Sequence, residues 1–173
     1  EALLKVGRAV EQSMDLDRVL PAALEAILEA TTGEAAEVWL VERTQGVVHR
    51  RSHAGKVKEA FAEITRLPIG EGYPGMVAQT GRPILAHNPP EDVRFLRQRV
   101  KADGFQTFYA LPLRRGEVTI GVLTVAARDA KALISEGEHR LLGLMAEHIA
   151  VAIENAQLHE EVQTLAVLTE RER

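Results

Sequence analysis

The residues with most chemical capacity here are six histidines, a glycine run and the carboxylates, and cysteine is absent altogether. Without cysteine there can be no disulfide framework, thiolate zinc site, iron–sulfur cluster, thiol nucleophile or thioether-linked chromophore. His49 and His53 stand four apart in an expected strand and could share a face, but no third ligand is spaced to join them. His139, His148 and His159 are spread along one helical stretch, too far apart to converge, so no metal is expected. Gly70-x-Gly72-x-x-Gly75 has the letters of a dinucleotide fingerprint. That fingerprint must join a strand to a helix inside a βαβ repeat, and a phosphate loop needs Lys-Ser/Thr after its last glycine. Pro74 sits inside this run and Met76-Val77 follow it. A glycine turn leading into a short helix is the better reading. Glu71, Glu91, Asp92 and Asp103 are spaced in no way that marks a catalytic pair, so no catalytic residue is assigned.

The aromatics point to binding. Five of the seven (Tyr73, Phe95, Phe105, Phe108 and Tyr109) fall between positions 73 and 109. Apolar lining with a few polar groups is what a small-molecule pocket requires, although the same residues would serve as core filler. Tyr73, Met76, Phe105 and Tyr109 are the candidate lining residues. His87, with Arg82, Arg94 and Arg97 near it in sequence, could hold an anionic ligand or a haem propionate. An exposed loop histidine is the simpler alternative.

These residues need elements to position them. Residues 2–14 carry apolar positions at spacings of three and four and read as a helix. Asp15-Leu16-Asp17 offers a capping carboxylate for a second helix, with Pro21 in its first turn and Gly33 at its end. The period then changes to strands over 37–41 and 47–50, a short helix over 57–64, and a glycine-rich turn with a brief helix ending near Gly81. A short strand over 83–86, a crossover with a helix over 93–102, and a hairpin of strands 107–113 and 118–126 follow. The last strand is almost wholly apolar, as a central strand buried on both faces would be. Ser135 and Glu138 make a capping box for a helix that runs to the end. This order predicts an α+β domain with one antiparallel sheet.

Several blocks of this order are similar to GAF domains. Leu67-Pro68-Ile69-Gly70-Glu71-Gly72-Tyr73-Pro74-Gly75-Met76-Val77-Ala78 resembles the family's glycine-rich turn and helix, and Thr80-Gly81-Arg82-Pro83-Ile84-Leu85 its helix exit and short strand. Phe108-Tyr109-Ala110-Leu111-Pro112-Leu113 and Gly121-Val122-Leu123 resemble its last two strands, and residues 150–158 its exit helix. The likeness covers about residues 15–160. It implies a GAF/PAS-like single antiparallel sheet with helices packed on one face, a pocket under loops on the other, and long N- and C-terminal signalling helices. Family ligands are narrowed by what this chain lacks. Covalent bilin and methionine-sulfoxide reduction both need cysteine. The stretch Val100-Lys101-Ala102-Asp103-Gly104, where haem-binding members carry their histidine, has none, which disfavours haem. Ala127-Arg128…Ile134…Glu138 departs from the Asn-Lys…Phe…Asp-Glu signature, which disfavours cyclic GMP. The ligand stays unknown.

The exit helix carries a second signal. Leu144, Val151, Leu158 and Leu165 are spaced seven apart, with His148, Asn155, Val162 and Thr169 interleaved. That is one heptad seam, with Asn155 in a polar core slot of the kind that sets register. A second stripe, Leu142, Met145, Ile149, Ala152, Ile153 and Ala156, would face the sheet. Three parts are therefore expected: a signalling helix over 1–14, a sensor domain over 15–157, and a coiled-coil linker over 158–173. The expected partners are a second copy, a small molecule and a covalently linked output domain. The closing Leu165-Ala166-Val167-Leu168-Thr169-Glu170-Arg171-Glu172-Arg173 resembles the run-in to the phosphoacceptor helix of histidine kinases. Its Leu-Thr-Glu-Arg-Glu also resembles the opening of LuxR-type DNA-binding domains, and the unbroken heptad phase favours the kinase. A formal net charge of −4 with no basic block gives nucleic-acid binding no support. No apolar run approaches the roughly 20 residues of a membrane span. Glu1-Ala2 opens no charged-then-apolar leader, so a cytoplasmic location is expected.

Overall fold

A computed structural model describes residues 15–87 and 92–171. The expected signalling helix over residues 1–14 lies outside the described residues. Helix α1 (Leu16–Ala30) starts under Asp15, whose Oδ1 accepts the Asp17 N–H at 3.2 Å. It buries Leu20, Leu24 and Ile27, which the helical repeat places on one face. Pro21 lies inside this helix, a turn later than expected.

Strands β1 (Ala35–Glu42) and β2 (Val47–Gly55) form a hairpin, and the short helix α2 (Lys58–Phe61) and strand β3 (Arg66–Pro68) follow. Helix α2 is shorter than its predicted span because Val57 takes a left-handed backbone (φ 57°) at its start. Strand β3 was not expected. Helix α3 (Gly72–Thr80) leads by Gly81 into β4 (Ile84–His87). In the crossover only α4 (Gln98–Ala102) is helical, not the full 93–102, because Asp92 makes a turn of residues 92–95 instead. Its Oδ1 accepts the Arg94 N–H at 3.0 Å, and its carbonyl accepts the Phe95 N–H at 3.0 Å. Strands β5 (Thr107–Arg115) and β6 (Val118–Ala127) close the sheet, and α5 (Glu136–Arg171) runs for 36 residues.

The six strands form one antiparallel sheet in the order β3-β2-β1-β6-β5-β4. Central β6 is buried on both faces, as its near-continuous apolar sequence requires. Under one face, α1 and α5 pack on an aliphatic core that includes Val38, Leu111, Leu113, Leu123, Val125, Leu142, Ile149 and Ile153. The other face carries a second core under α2, α3 and α4 that holds six aromatics: Trp39, Phe61, Tyr73, Phe95, Phe105 and Phe108. This is the expected α+β architecture with one antiparallel sheet, the long helices on one face and a loop-and-short-helix layer on the other. The Ser135–Glu138 capping box starts α5, with the Glu138 N–H donating to Ser135 Oγ at 3.1 Å. Glu138 Oε2 also accepts from the N–H and hydroxyl of Thr32, which ties the start of α5 to the α1–β1 turn.

Candidate functional site

The glycine run sets the site. Gly70 and Gly72 take positive φ (98° and 66°), and a side chain on Gly75 would collide with the Pro68 carbonyl. The run is thus a tight turn that seats α3 over the sheet. Tyr73, on the first turn of α3, is buried and lies against Phe95 (5.5 Å between ring centroids) and Phe108 (6.4 Å). Beneath these rings is a cavity of about 30 Å³ lined by Glu37, Phe61, Leu67, Tyr73, Arg97 and Phe108, among others. That volume holds about two waters.

Two charged residues, Glu37 and Arg97, line this apolar cavity, and both are buried. Glu37 comes from β1, the strand next to the centre; Arg97 comes from the N-terminal boundary of α4. Arg97 Nη1 donates to Glu37 Oε1 and Nη2 to Oε2 (2.9 Å), a bidentate pair. Arg97 Nη2 also reaches the carbonyls of Phe61 (2.5 Å) and Ile64 (3.3 Å), and its guanidinium lies over the rings of Phe61 and Trp39. Arg50 Nη1 donates to Glu37 Oε2 at 3.0 Å and the Thr124 hydroxyl to Oε1 at 3.3 Å. The His53 Nδ1 stands 3.6 Å from Oε2. Burial alone would raise the Glu37 pKa, but the Arg97 charge and the hydrogen bonds around it hold the carboxyl at about 2.

A bulge builds this cluster. Val38 pairs with Ser52 but Trp39 pairs with Arg50, which leaves Arg51 as an extra residue in β2. Strand alternation is shifted by one there. Arg50 and His53, three apart in sequence, therefore both turn to the Glu37 side. By the same shift His49 faces away, pairing with Glu42 at 3.0 Å, so the two histidines share no face. The expectation that they could is overturned.

At the rim, the Tyr73 hydroxyl donates to Asp92 Oδ2 at 2.6 Å, and Arg94 forks onto the same carboxylate. The Arg94 and Tyr73 hydrogen bonds hold Asp92 well below the usual carboxylate range, while burial and the Asp92 contact push the Tyr73 phenol up.

Of the predicted ligand residues, the structure brings Tyr73 to the cavity wall. Tyr109 is among the residues lining it as well. Its ring belongs to the opposite face of the sheet, 4.9 Å from the His139 ring on α5, because it alternates with the cavity-side Phe108 and Ala110. Phe105 is buried in the aromatic core, edge-on to Phe61, and is not among the residues lining the cavity; neither is Met76, which is half-buried on α3. His87 is exposed at the end of β4, and its Nδ1 lies 2.9 Å from the Ala130 carbonyl, away from Arg97. Sequence reasoning missed Glu37, Arg50 and His53. The one available signal was a glutamate inside an otherwise apolar strand.

On α5 the sheet-facing stripe is buried, while Leu144, Val151, Leu158, Val162 and Leu165 are exposed and Asn155 is half-buried. Among the described residues no group of His, Asp and Glu can hold a metal ion, and no helix is long and apolar enough to cross a membrane.

Against known proteins, residues 13–154 match the family model for the GAF domain. The chain belongs to the GAF family. A Nif-specific regulatory protein of Herbaspirillum seropedicae is 27% identical to this GAF chain over 178 residues, covering 95% of the chain and 32% of that protein. The chain thus spans about a third of the length of the curated relative it matches. The GAF domain of a phosphoenolpyruvate-protein phosphotransferase of Coxiella burnetii superposes with a TM-score of 0.74 at 20% identity, covering 91% of this chain and 96% of that one. A free methionine-R-sulfoxide reductase of Neisseria meningitidis, solved with its substrate, does so with a TM-score of 0.69 at 17% identity, covering 91% and 89%. One GAF-fold neighbour is therefore an enzyme, so fold alone does not decide between binding and catalysis.

Proposed function

We propose that this GAF domain is the sensory input module of a longer regulatory protein. A small molecule enters the cavity under α3, and α5 pairs with α5 of a second copy and carries the change to a linked output module. The observation that carries this reading is the division of α5. One stripe is docked on the sheet that floors the cavity, and a second stripe at heptad spacing is left exposed, with Val151 at 55% and Leu165 at 63%. The polar groups at the cavity favour binding over chemistry. Glu37 is saturated with donors and held at about 2, which makes it a poor base, and among the described residues no second carboxylate lines the cavity.

For the output module, the heptad run favours a histidine kinase over a LuxR-type regulator, and the Nif-specific relative supports a regulatory output in general. A cytoplasmic setting fits such a module. Light scattering tests the pairing. The wild-type chain is expected at twice its monomer mass, and Val151→Glu and Leu158→Glu at the monomer mass with unchanged helix content. Because both positions are exposed, folding stability should move by no more than about 0.5 kcal/mol. A wild-type monomer, or a dimer that both substitutions leave intact, rejects the reading.

A further inference from the structure

The hydrogen-bonding capacity left over at the cavity has a definite sign. Glu37 has about four lone-pair sites, and they are filled by two bonds from Arg97 and one each from Arg50 and Thr124. Its acceptors are used up. Donors are not: the buried Arg97 Nε–H has no hydrogen-bond partner, nor does the indole Nε1–H of Trp39 beneath the Arg97 guanidinium. An unpaired buried donor on a charged group is a cost that folded proteins seldom leave standing.

The charge sum agrees. Two guanidiniums surround one carboxylate. Asp92, bonded to Tyr73 at the rim, is already neutralised by Arg94. The cluster therefore holds one uncompensated positive charge beside an apolar cavity, with the Arg97 side chain only 8% exposed. A ligand that completes it must bring acceptors and negative charge, and must be small.

We propose that the cavity takes a small oxyanion, a carboxylate or an inorganic oxyanion of about three or four non-hydrogen atoms, received by the Arg97 Nε–H. This rests on the cavity being the ligand site of the sensor. The apolar walls supply the dry surroundings in which a single charge-assisted bond discriminates strongly. A neutral isostere of the same shape presents an acceptor but leaves the charge uncompensated.

The test titrates the wild-type chain with formate, acetate and nitrate, and with formamide and acetamide as neutral isosteres, at constant ionic strength in chloride. Arginine Nε–H resonances, assigned by triple-resonance spectra, are followed together with the melting temperature. At least one oxyanion should move the Arg97 Nε–H resonance saturably and raise the melting temperature, binding about tenfold or more tighter than its amide. Formate or acetate alone would mark a carboxylate ligand, and nitrate alone an inorganic one. Ala110→Leu, which fills the cavity from β5 and replaces no member of the charged cluster, should abolish the response, and Arg97→Lys, which keeps the charge but lacks the Nε–H, should weaken it about tenfold.

An equal response to the amides overturns the inference while leaving the sensor reading intact. A melting shift that survives Ala110→Leu is a surface ion effect and also overturns it. So does an Arg97 resonance that none of the three oxyanions moves. The sensor reading is then judged separately, by whether Ala110→Leu alters the output of the full-length protein. If either variant fails to fold, the wild-type comparison of oxyanion with amide at the Arg97 resonance decides by itself.

Discussion

The two faces of the sheet are made of different materials. Under α1 and α5 the core is aliphatic, close to charge-free, and buried by side chains at regular helical spacing. Under α2, α3 and α4 it is aromatic, encloses a cavity, and is pinned by a buried carboxylate between two guanidiniums. Aliphatic packing is non-directional and gains with each apolar atom removed from water. A buried ion cluster gains little net stability, because desolvation offsets much of the attraction, yet it punishes any arrangement that separates its members. One face therefore supplies stability, and the other supplies a defined geometry around a space. A sensor needs both, since ligand can shift only what has more than one arrangement of similar energy.

The sharpest way to break this contrast is to compare single and double substitutions on each face. Arg97→Met leaves Glu37 buried with Arg50 as its one remaining guanidinium and should cost about 3–5 kcal/mol. Glu37→Leu should cost a similar amount. The double variant should recover part of the loss, because Glu37 and Arg97 leave together and Arg50, 13% exposed, keeps the Phe61 carbonyl as a partner, whereas Leu24→Ala and Ile153→Ala on the aliphatic face should each cost about 2–5 kcal/mol and add without recovery. Urea denaturation supplies all the values. If the Glu37–Arg97 double loses the sum of its singles, the cluster is ordinary core and the contrast between faces fails.

A pH series sharpens the same comparison with a smaller effect. The folded Glu37 carboxyl, at about 2, lies below its ordinary value of 4.5, so its ionised form stabilises the fold. That contribution is complete above the unfolded value and is lost as pH falls from about 4.5 towards about 2. Asp92 and Glu138 are depressed too, so acid will weaken the wild type for more than one reason. The difference between wild type and Glu37→Gln isolates the cluster. The wild type should be the more stable near neutrality, and the gap should close across that acid window. A gap that stays constant down to pH 2 would mean that Glu37 contributes through shape and not through charge.

Legibility in the sequence followed the same division. The helical spacing of Leu20, Leu24 and Ile27, the apolar run of β6 and the Ser135–Glu138 box each announced an element, because burial on a regular element leaves a regular pattern. The glycine run was legible as a turn because positive φ demands its residue type. The cavity cluster was not, for two reasons. Its members come from β1, β2 and the start of α4, 60 residues apart between Glu37 and Arg97, and no local pattern reports such a meeting. The bulge at Arg51 also reverses strand alternation, which is the rule by which faces are assigned. Tyr109 does line the cavity, but, adjacent to Phe108 on one strand, it turns its ring to the opposite side.

That ring placement gives Tyr109 a second role, and the last prediction follows from it. Tyr109 lines the cavity while its ring meets His139, one turn into α5, whose start is tied through Glu138 to Thr32. The residue thus spans the sheet from the cavity floor to the helix that carries the exposed seam. Tyr109→Leu keeps an apolar body on the aliphatic face and loses the edge-on ring contact, so it should cost about 1 kcal/mol, the smallest of these effects. Ligand affinity should be nearly unchanged, because the side chain does not face the cavity. What should change is transmission, since a ligand shifts the bundle only through contacts that differ between two helix arrangements. The measurement is the output of the full-length protein, titrated with whatever oxyanion the chain binds, for wild type and Tyr109→Leu. A lower amplitude at an unchanged midpoint supports a path through β5 into α5. A shifted midpoint at full amplitude would return Tyr109 to the binding site, and an unaltered response would show that the sheet passes its signal elsewhere.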